Sequence, residues 1–200
     1  MKALIKKIVN KKALAYYHKT MALLAKGLYR NPSQDMIVIG VTGTNGKSST
    51  VALIAKILEQ AGYKVGSTST VSFKIAGQEW LNDKKMTMLG RFGLQKILSQ
   101  MKKAGCSHAV IETSSQGIDQ FRHLGINYDI AVFTNLTPEH IEAHGGFVNY
   151  QKAKEKLFAK LREETHKTYR GSEVPKAIIA NGDDEHVNDF MQYWADEKYI

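Results

Sequence analysis

A glycine-rich segment with one lysine and two adjacent serines follows a short apolar stretch of the sequence. It reads Gly40-Val-Thr-Gly-Thr-Asn-Gly-Lys-Ser-Ser49. Glycines let the backbone approach phosphate oxygens, and the amides that open a helix attract anions. Lys47 would reach the β- and γ-phosphates, and the Ser48 hydroxyl would bind Mg²⁺. The segment therefore predicts a phosphate loop, although Val41 stands where the strict pattern has glycine.

Three further stretches place polar residues just after predicted strands or on the helix that follows. Glu112 ends an apolar run and offers the oxygen ligand that Mg²⁺ prefers, but its spacing fits a surface or capping role equally well. The second stretch runs from Phe133 to His140, and the third carries Lys154 on a helix. A lone histidine is an unusual Mg²⁺ ligand, and a helical lysine is usually solvated. Residue type alone therefore singles out neither His140 nor Lys154.

Strands alternate with helices from residue 36 onward. Short apolar, β-branched runs predict strands over Met36–Val41, Lys64–Ser69, Val71–Ile75, Glu79–Leu81, His108–Thr113, Asp129–Thr134 and Lys176–Ala180. Helical periodicity predicts helices over Lys47–Ala61, Leu94–Ala104, Tyr150–Leu161 and Asp184–Trp194, and the charged segment 163–175 reads as a surface loop. The alternation indicates an α/β protein with a mostly parallel P-loop sheet flanked by helices. Ligands of such folds lie at the carboxyl ends of the strands.

The positive charge of the protein is concentrated at its start. The 200 residues carry a net charge of +9; residues 1–30 contain eight Lys and Arg and no acid, and the remainder contains 20 bases and 19 acids. The balanced remainder lacks a basic stripe, so we expect no nucleic-acid partner. A single cysteine excludes an intrachain disulfide. With no export signal and no apolar run of about 18 residues, we expect a cytoplasmic protein.

Residues 1–34 are predicted to form a basic amphipathic helical arm that precedes the domain of residues 35–200. Apolar residues recur at helical spacing over residues 3–29, with a break near Asn10. The interpretation we favour is a helix packed on the domain with solvated lysines. The alternative is a helix that docks on a membrane surface or on an acidic partner.

The string Gly43-Thr-Asn-Gly-Lys-Ser48 resembles the ATP loop of the Mur ligases, which join amino acids to peptidoglycan precursors and use this shortened loop. The resemblance continues in order over residues 36–190, through Glu112-Thr-Ser-Ser-Gln-Gly117, Thr134-Asn-Leu-Thr-Pro-Glu-His140 and the helix that carries Lys154. Among the Mur ligases, the sequence most resembles the UDP-N-acetylmuramoyl-tripeptide synthetase type. It implies that residues 35–200 form the central ATP-binding domain of such a ligase, which we expect to be incomplete at its carboxyl end.

The resemblance implies a role for each matching residue. ATP would be bound by Gly43, Thr44, Asn45, Gly46, Lys47, Ser48, Ser49 and, near the adenine, Asn181. The UDP-MurNAc-peptide would be bound by Thr87, Ser114, Gln120 and Arg122. Mg²⁺ would be held by Ser48, Glu112, His140 and a carbamylated Lys154, and the catalytic set would be Lys47, Lys154 and His140. Gln116 stands where this type usually has histidine, and only Thr87 remains of a Thr-Thr-Pro substrate motif.

The implied activity is ATP-dependent amide-bond formation in peptidoglycan precursor synthesis. A carboxylate of the UDP-MurNAc-peptide would attack the γ-phosphate, and the amino group of an amino acid would then displace phosphate from the acyl phosphate. Because a closing carboxyl-terminal domain would be missing, we expect weak or no ligation by these residues alone. Two alternatives stay open: another P-loop enzyme, such as a small-molecule kinase or a ligase on folate or cyanophycin precursors, and a non-enzymatic nucleotide-binding module that docks through its arm.

Overall fold

A computed structural model describes residues 11–139 and 141–200 of the chain. His140 and the part of the predicted arm before Lys11 lie outside the described residues. The helices are α1 (Lys11–Leu28), α2 (Lys47–Gln60), α3 (Arg91–Lys103), α4 (Ser115–Asp119), α5 (Ile141–His144), α6 (Phe147–Leu161) and α7 (Val187–Met191). The strands are β1 (Ile37–Thr42), β2 (Val65–Thr68), β3 (Ser72–Ile75), β4 (Gln78–Leu81), β5 (His108–Glu112), β6 (Ile130–Phe133), β7 (Lys167–Tyr169), β8 (Ser172–Val174), β9 (Ala177–Ala180) and β10 (Glu197–Tyr199).

Eight strands form one sheet in the order β10-β9-β6-β1-β5-β2-β3-β4. All neighbours are parallel except the pairs β2–β3 and β3–β4, which are antiparallel. Strand β1 lies between β5 and β6, and its residue Ile39 pairs with Val110 of β5 and with Ile130 of β6. The prediction of a mostly parallel sheet in an α/β protein is confirmed. Parallel strands bring their carboxyl ends to one edge, which we call the carboxyl edge.

Helices cover the central strands on both faces. Val38 and Ile111 pack into a core that includes residues of α3 and α6, whereas Ile39 and Val110 pack against α2. Residues of both faces are buried in these strands, which explains their almost continuous apolar sequence. The two cores hold the carboxyl edge, and the loops that follow each strand, in fixed positions.

Helix α1 packs along α3 and the 3₁₀ turn Arg122–Gly125. Ala22 and Ala25 are buried in this contact, and a Cβ on Gly125 would lie 3.2 Å from the Ala22 carbonyl oxygen. The opposite face of α1 exposes large apolar side chains: Leu14, Tyr16, Tyr17, Leu23, Leu24 and Leu28. Over the described part of the chain, no helix has the length and apolar character needed to cross a membrane.

Two predictions near the carboxyl terminus are wrong. Segment 163–175 is not an open loop, because β7 and β8 pair as an antiparallel hairpin. The first residue of this hairpin, Lys167, is buried and donates a hydrogen bond to the Asp129 carboxylate. Local sequence does not reveal this contact, because the two residues are far apart in the chain. The helix predicted over Asp184–Trp194 is confined to Val187–Met191, because the Asp184 carboxylate accepts from the Leu136 and His186 amides in a turn. Strand β10 was not predicted.

Candidate functional site

The predicted phosphate loop connects β1 to α2 at the carboxyl edge. Gly43 and Gly46 both have positive φ angles, of 153° and 78°, which side chains disfavour. A Cβ on Gly43 would lie 1.9 Å from Thr134 Oγ1, so that position accepts only glycine without rearrangement. The strand, loop and helix therefore occur in the order that a phosphate loop requires.

The segment after β6 holds the loop in place. Asn135 accepts from two loop amides, through its carbonyl oxygen from Thr44 N (2.8 Å) and through Oδ1 from Asn45 N (2.8 Å). Thr134 Oγ1 donates to the Asn45 carbonyl (2.8 Å), and Asn45 Nδ2 donates to Glu139 Oε1 (3.0 Å). Sequence analysis did not predict this supporting role, although these residues belong to the Thr-Asn-Leu motif that it found.

Lys47 is the first residue of α2, and its ammonium turns back over the loop. Lys47 Nζ donates to the Thr44 carbonyl (2.6 Å). Burial lowers its pKa, while the charges of Glu112 and Glu139 oppose that shift. Ser49 is exposed in the first turn of the same helix. The predicted phosphate-binding residues Gly43 to Ser49 are thus grouped around one helix amino terminus.

Glu112 lies at the end of β5 and is only 2% exposed. Its Oε2 accepts from Ser48 Oγ and from Thr70 N, each at 2.7 Å, and its Oε1 accepts from Thr70 Oγ1 at 3.0 Å. Thr70 Oγ1 also lies 3.0 Å from Thr87 Oγ1, and because its one hydrogen points to Glu112 it accepts from the Thr87 hydroxyl. The structure therefore groups the predicted metal ligands Ser48 and Glu112 with the predicted substrate residue Thr87. Sequence analysis did not predict Thr70 as a site residue, although a polar residue shortly after a strand of a parallel sheet is a position where ligand contacts are expected.

The donor set around Glu112 suits Mg²⁺. A buried carboxylate and two hydroxyl groups are hard oxygen ligands, and Mg²⁺ commonly uses one or two protein ligands together with water and phosphate oxygens. No group of three His, Cys, Asp or Glu side chains that could hold a metal exists among residues 11–139 and 141–200. The residues present fit an ion shared with a nucleotide rather than an all-protein metal cage. His140, a predicted ligand, lies outside the described residues.

Lys154 projects from α6 into the same region and is 1% exposed. Its Nζ donates to the Gly43 carbonyl (2.6 Å) and lies 4.3 Å from the centroid of the Tyr150 ring. Burial and the nearby charge of Lys47 lower the pKa of Lys154 to about 7, while Glu139 opposes the shift. The neutral amine, which carbamylation requires, is therefore well populated at neutral pH. Ligation of a metal by Lys154 stays a prediction.

A cavity of about 330 Å³ opens beside the loop, and seven of the fifteen predicted site residues line it. Its lining consists of Gly43, Thr44, Lys47, Lys85, Met86, Thr87, Met88, Ser114, Ser115, Gln116, Gly117, Arg122, Tyr150 and Lys154. Gln120 lies behind Arg122 and accepts from its Nε (3.2 Å) and Nη2 (2.6 Å). The Ser114 hydroxyl caps α4 by accepting from Gly117 N (3.2 Å). The lining carries four basic side chains, which suits an anionic ligand.

Asn181 follows β9 at the carboxyl edge but does not line this cavity. Its Nδ2 donates to the Thr134 carbonyl (3.0 Å), which ties it to the segment that supports the phosphate loop. Its side chain is in an exposed position. The adenine contact predicted for Asn181 stays a prediction.

Comparison with known sequences places this site in a family. Residues 41–199 match the Mur ligase middle domain. The chain is 37% identical over 177 residues to a UDP-N-acetylmuramyl-tripeptide synthetase of Roseiflexus sp., a match that covers 86% of this chain and 34% of that protein. It is 39% identical over 174 residues to the UDP-N-acetylmuramoyl-L-alanyl-D-glutamate--2,6-diaminopimelate ligase of Halalkalibacterium halodurans, covering 87% and 34% respectively. The chain spans about a third of the length of these relatives.

Solved structures agree with the sequence comparison. A UDP-N-acetylmuramoyl-L-alanyl-D-glutamate--2,6-diaminopimelate ligase superposes with a TM-score of 0.68 at 28% identity, covering 84% of this chain and 32% of that chain. The folylpolyglutamate synthase of Mycobacterium tuberculosis, complexed with ADP and AMPPCP, has a TM-score of 0.66 at 14% identity, covering 90% and 46%. The second likeness shows a shared fold alone. The chain belongs to the Mur ligase family, whose middle domain residues 41–199 match.

Proposed function

We propose that this chain binds MgATP and is the nucleotide-binding part of a ligase that adds an amino acid to a UDP-MurNAc-peptide. The observation that carries the proposal is the convergence of Lys47, Lys154 and Arg122 on one cavity beside the loop. Glu112, which is bonded to the loop residue Ser48, gives Mg²⁺ a carboxylate at the same place. The names of the relatives support the ligase class, and ADP and AMPPCP in the related fold support the nucleotide.

The proposed reaction joins two anions, so positive charge is its first requirement. A carboxylate oxygen of the acceptor attacks the γ-phosphorus, the bond between that phosphorus and the β–γ bridging oxygen breaks, and ADP leaves. The amine nitrogen of the amino acid then attacks the acyl carbon, loses a proton and expels phosphate. Lys47 and the loop amides neutralise the phosphates, and Mg²⁺, when bound by Ser48 and Glu112, adds further charge neutralisation. Lys154 holds the Gly43 carbonyl and thereby the shape of the loop.

The chemistry of the cavity and the names of the relatives support the proposed acceptor. The names of several relatives contain UDP-N-acetylmuramoyl-L-alanyl-D-glutamate, which is rich in carboxylate and phosphate groups. Thr87, Ser114 and Arg122 line the cavity, and Gln120 orients Arg122, so these four residues are the proposed acceptor contacts. We propose a cytoplasmic location, because the proposed reaction uses ATP and a nucleotide sugar.

Calorimetric titration of UDP-N-acetylmuramoyl-L-alanyl-D-glutamate tests the acceptor. We expect binding by the protein, loss of about tenfold or more in affinity in Arg122→Met, and no change in Arg162→Met, an exposed arginine outside the cavity. Phosphate release from ATP that requires both acceptor and amino acid would establish the ligase class. Phosphorylation of a small acceptor without an amino acid would instead favour the kinase alternative.

A second proposed function, docking on an anionic membrane surface, is favoured by the outer face of α1. Tyr16 is 75% exposed and Leu28 is 68% exposed, and Leu23 and Leu24 between them are also exposed. On a helical wheel, Lys12, Lys19 and Lys26 lie along one flank of this apolar stripe. Residues 1–30 contain no acid, so their charge is complementary to anionic lipid headgroups.

Co-sedimentation with phosphatidylglycerol and phosphatidylcholine vesicles at low salt tests this docking. We expect binding to the anionic vesicles only, and loss of binding in the double variant Leu23→Ser, Leu24→Ser. Leu53→Ser is the matched control, because Leu53 is 64% exposed on α2. Equal binding to both lipids, or no effect of the double variant, would contradict the proposal.

A further inference from the structure

Two arginines meet at one glutamine beside the cavity. Arg122 donates from Nε and Nη2 to Gln120 Oε1, at 3.2 and 2.6 Å, and from Nη1 to the Met88 carbonyl. Arg91 Nη2 donates to the backbone carbonyl of the same Gln120. A single residue thus holds two guanidinium groups close together. The Mur ligase motifs in the sequence include Arg122 but not Arg91.

No acid balances this pair. Within residues 11–139 and 141–200, no carboxylate lies within 4 Å of either guanidinium. Arg91 Nε is buried and has no hydrogen-bond partner. Burial lowers the pKa of both arginines, and the charge of Arg91 lowers the pKa of Arg122 further. Placing like charges together without an acid is unfavourable, and the hydrogen bond that Arg91 donates to the Gln120 carbonyl does not supply a negative charge.

The helix that carries Arg91 adds to the positive potential. Arg91 is the first residue of α3, a helix of 13 residues, and no side chain caps its amino end. Its first turn contains no acid either. Acids are the residues that normally stabilise a helix start, so a cation here opposes the helix dipole. Two guanidinium groups and a helix amino terminus therefore converge without a negative charge among the described residues.

An oxyanion bound between the two guanidinium groups would supply the negative charge that they lack. Guanidinium groups bind carboxylate and phosphate through two parallel hydrogen bonds, and Arg91 has a buried donor unused. Arg122 lines the cavity that also contains Lys47 and Lys154, whereas Arg91 lies just outside this lining and is joined to Arg122 through Gln120. A ligand that extends from the phosphate loop to Arg122 would therefore come close to Arg91. We infer that Arg91 is a second acceptor-binding residue, which together with Arg122 binds an oxyanion of the acceptor. The inference rests on the proposed function, because the oxyanion is a group of that acceptor.

Two probes distinguish a bound carboxylate from a bound phosphate. The dipeptide L-alanyl-D-glutamate offers carboxylates alone, and UDP offers phosphates alone. Each is titrated calorimetrically at constant ionic strength into the protein, Arg91→Met, Arg91→Lys and the surface control Arg162→Met. We expect the affinity of one probe for Arg91→Met to be roughly tenfold lower than for the unaltered protein. Its affinity for Arg91→Lys should lie between these two values, and its affinity for Arg162→Met should equal that for the unaltered protein. Unchanged affinity of both probes in Arg91→Met would overturn the inference, as would the failure of both probes to bind the protein.

Stability and nucleotide binding distinguish a ligand-binding arginine from a structural one. Without probe, Arg91→Met should unfold at the same urea concentration as the protein or at a higher one, because a half-buried charge without an acid partner among the described residues is removed. A clear loss of stability would assign Arg91 a structural role and overturn the inference. MgATP affinity should be unchanged in Arg91→Met, since Arg91 lies outside the phosphate loop. Failure of MgATP to bind even the unaltered protein would contradict the proposed function, while the two probes still decide the role of Arg91.

Discussion

Buried or half-buried lysines lie at the carboxyl edge of the sheet and at the opposite, amino edge, where the parallel strands begin, but they are bonded very differently. At the amino edge, Lys167 and Lys176 share the Asp129 carboxylate, at 2.5 and 2.9 Å, and each ammonium makes two further hydrogen bonds. At the carboxyl edge, Lys47 and Lys154 each donate to a single loop carbonyl. No carboxylate of the described residues lies within 4 Å of either ammonium at the carboxyl edge.

The difference separates a structural charge cluster from a functional one. In the amino-edge cluster (Asp129, Lys167 and Lys176), every ammonium hydrogen has an acceptor, so the cluster ties β1, β6, β7 and β9 together. In the carboxyl-edge cluster (Lys47 and Lys154), each ammonium keeps donors for a ligand. Among the described residues, Glu112 and Glu139 act on these lysines only from beyond ion-pair distance. Buried charges without partners are costly, and they occur where a ligand supplies the missing charge.

The largest expected effect is on the amino-edge cluster. Asp129→Asn leaves two buried ammonium groups without their shared carboxylate, so we expect a loss of about 3–5 kcal/mol in the free energy of unfolding. Lys154→Met, at the other edge, removes a charge that has no acid partner and should leave stability unchanged or raise it. Urea unfolding of both variants measures the difference. The exposed Asp83→Asn is the control, and equal losses at the two edges would contradict the comparison.

The next largest effect concerns Glu112, whose carboxylate lies beside the carboxyl-edge cluster. Glu112→Gln keeps the size and most hydrogen bonds of the side chain but removes the anionic ligand proposed for Mg²⁺. We expect the gain in ATP affinity on adding Mg²⁺ to fall by roughly tenfold or more, while affinity for metal-free ATP changes little. Titrations with and without Mg²⁺ measure this, with the exposed Glu142→Gln as control. An unaltered Mg²⁺ effect would exclude Glu112 as a ligand.

A smaller effect is expected in the pH dependence of stability. The pKa of Lys154 is lowered from 10.5 to about 7 in the folded protein, so between these values the unfolded chain binds more protons. The free energy of unfolding should therefore rise with pH through this window. Lys167, with a pKa of about 8, contributes only at the higher end of it. Between pH 7 and 8 the rise should be about 1 kcal/mol.

Urea unfolding at pH 7 and pH 8 measures the rise, and lysine variants on α6 assign it. Lys154→Met should abolish most of the rise, whereas Lys152→Met, which alters an exposed lysine on the same helix, should not. Persistence of the full rise in Lys154→Met would show that another group titrates in this window.

The smallest expected effect concerns Tyr150, which packs against Lys154. Its hydroxyl lies 3.0 Å from Thr44 Oγ1, and Tyr150→Phe removes this hydrogen bond while keeping the ring. We expect a loss of up to about 1 kcal/mol in MgATP binding, the usual net value of one hydrogen bond. Tyr199→Phe, which alters an exposed tyrosine on β10, is the calorimetric control. A loss of several kcal/mol would mean that Tyr150 does more than support the loop.

Sequence was informative where function depends on local order of residues. The phosphate loop was predicted because glycines, Lys47 and Ser48 occupy consecutive positions between a strand and a helix. The central strands were predicted because two-sided burial requires apolar runs. The residues that resembled a family motif also proved to lie close together, as the contact between Ser48 and Glu112 illustrates.

Sequence was uninformative where a role depends on contacts between distant residues. Lys167 appeared to be a solvated charge in a loop, because nothing near it in sequence indicates that Asp129 would be its partner. Arg91 belongs to no motif, and its proposed role in binding the acceptor depends on its proximity to Arg122 and Gln120. The hairpin of β7 and β8 was missed because its strands have three residues each, too few for a periodic pattern.

The central claim is that the carboxyl-edge cluster belongs to a working phosphate loop. Calorimetric titration of MgATP, or of a non-hydrolysable analogue, into the protein, Lys47→Ala and Lys56→Ala tests it most directly, since Lys56 is an exposed lysine on the same helix. We predict binding that is lost in Lys47→Ala and retained in Lys56→Ala. Binding that survives in Lys47→Ala, or no binding to the unaltered protein, would contradict the account.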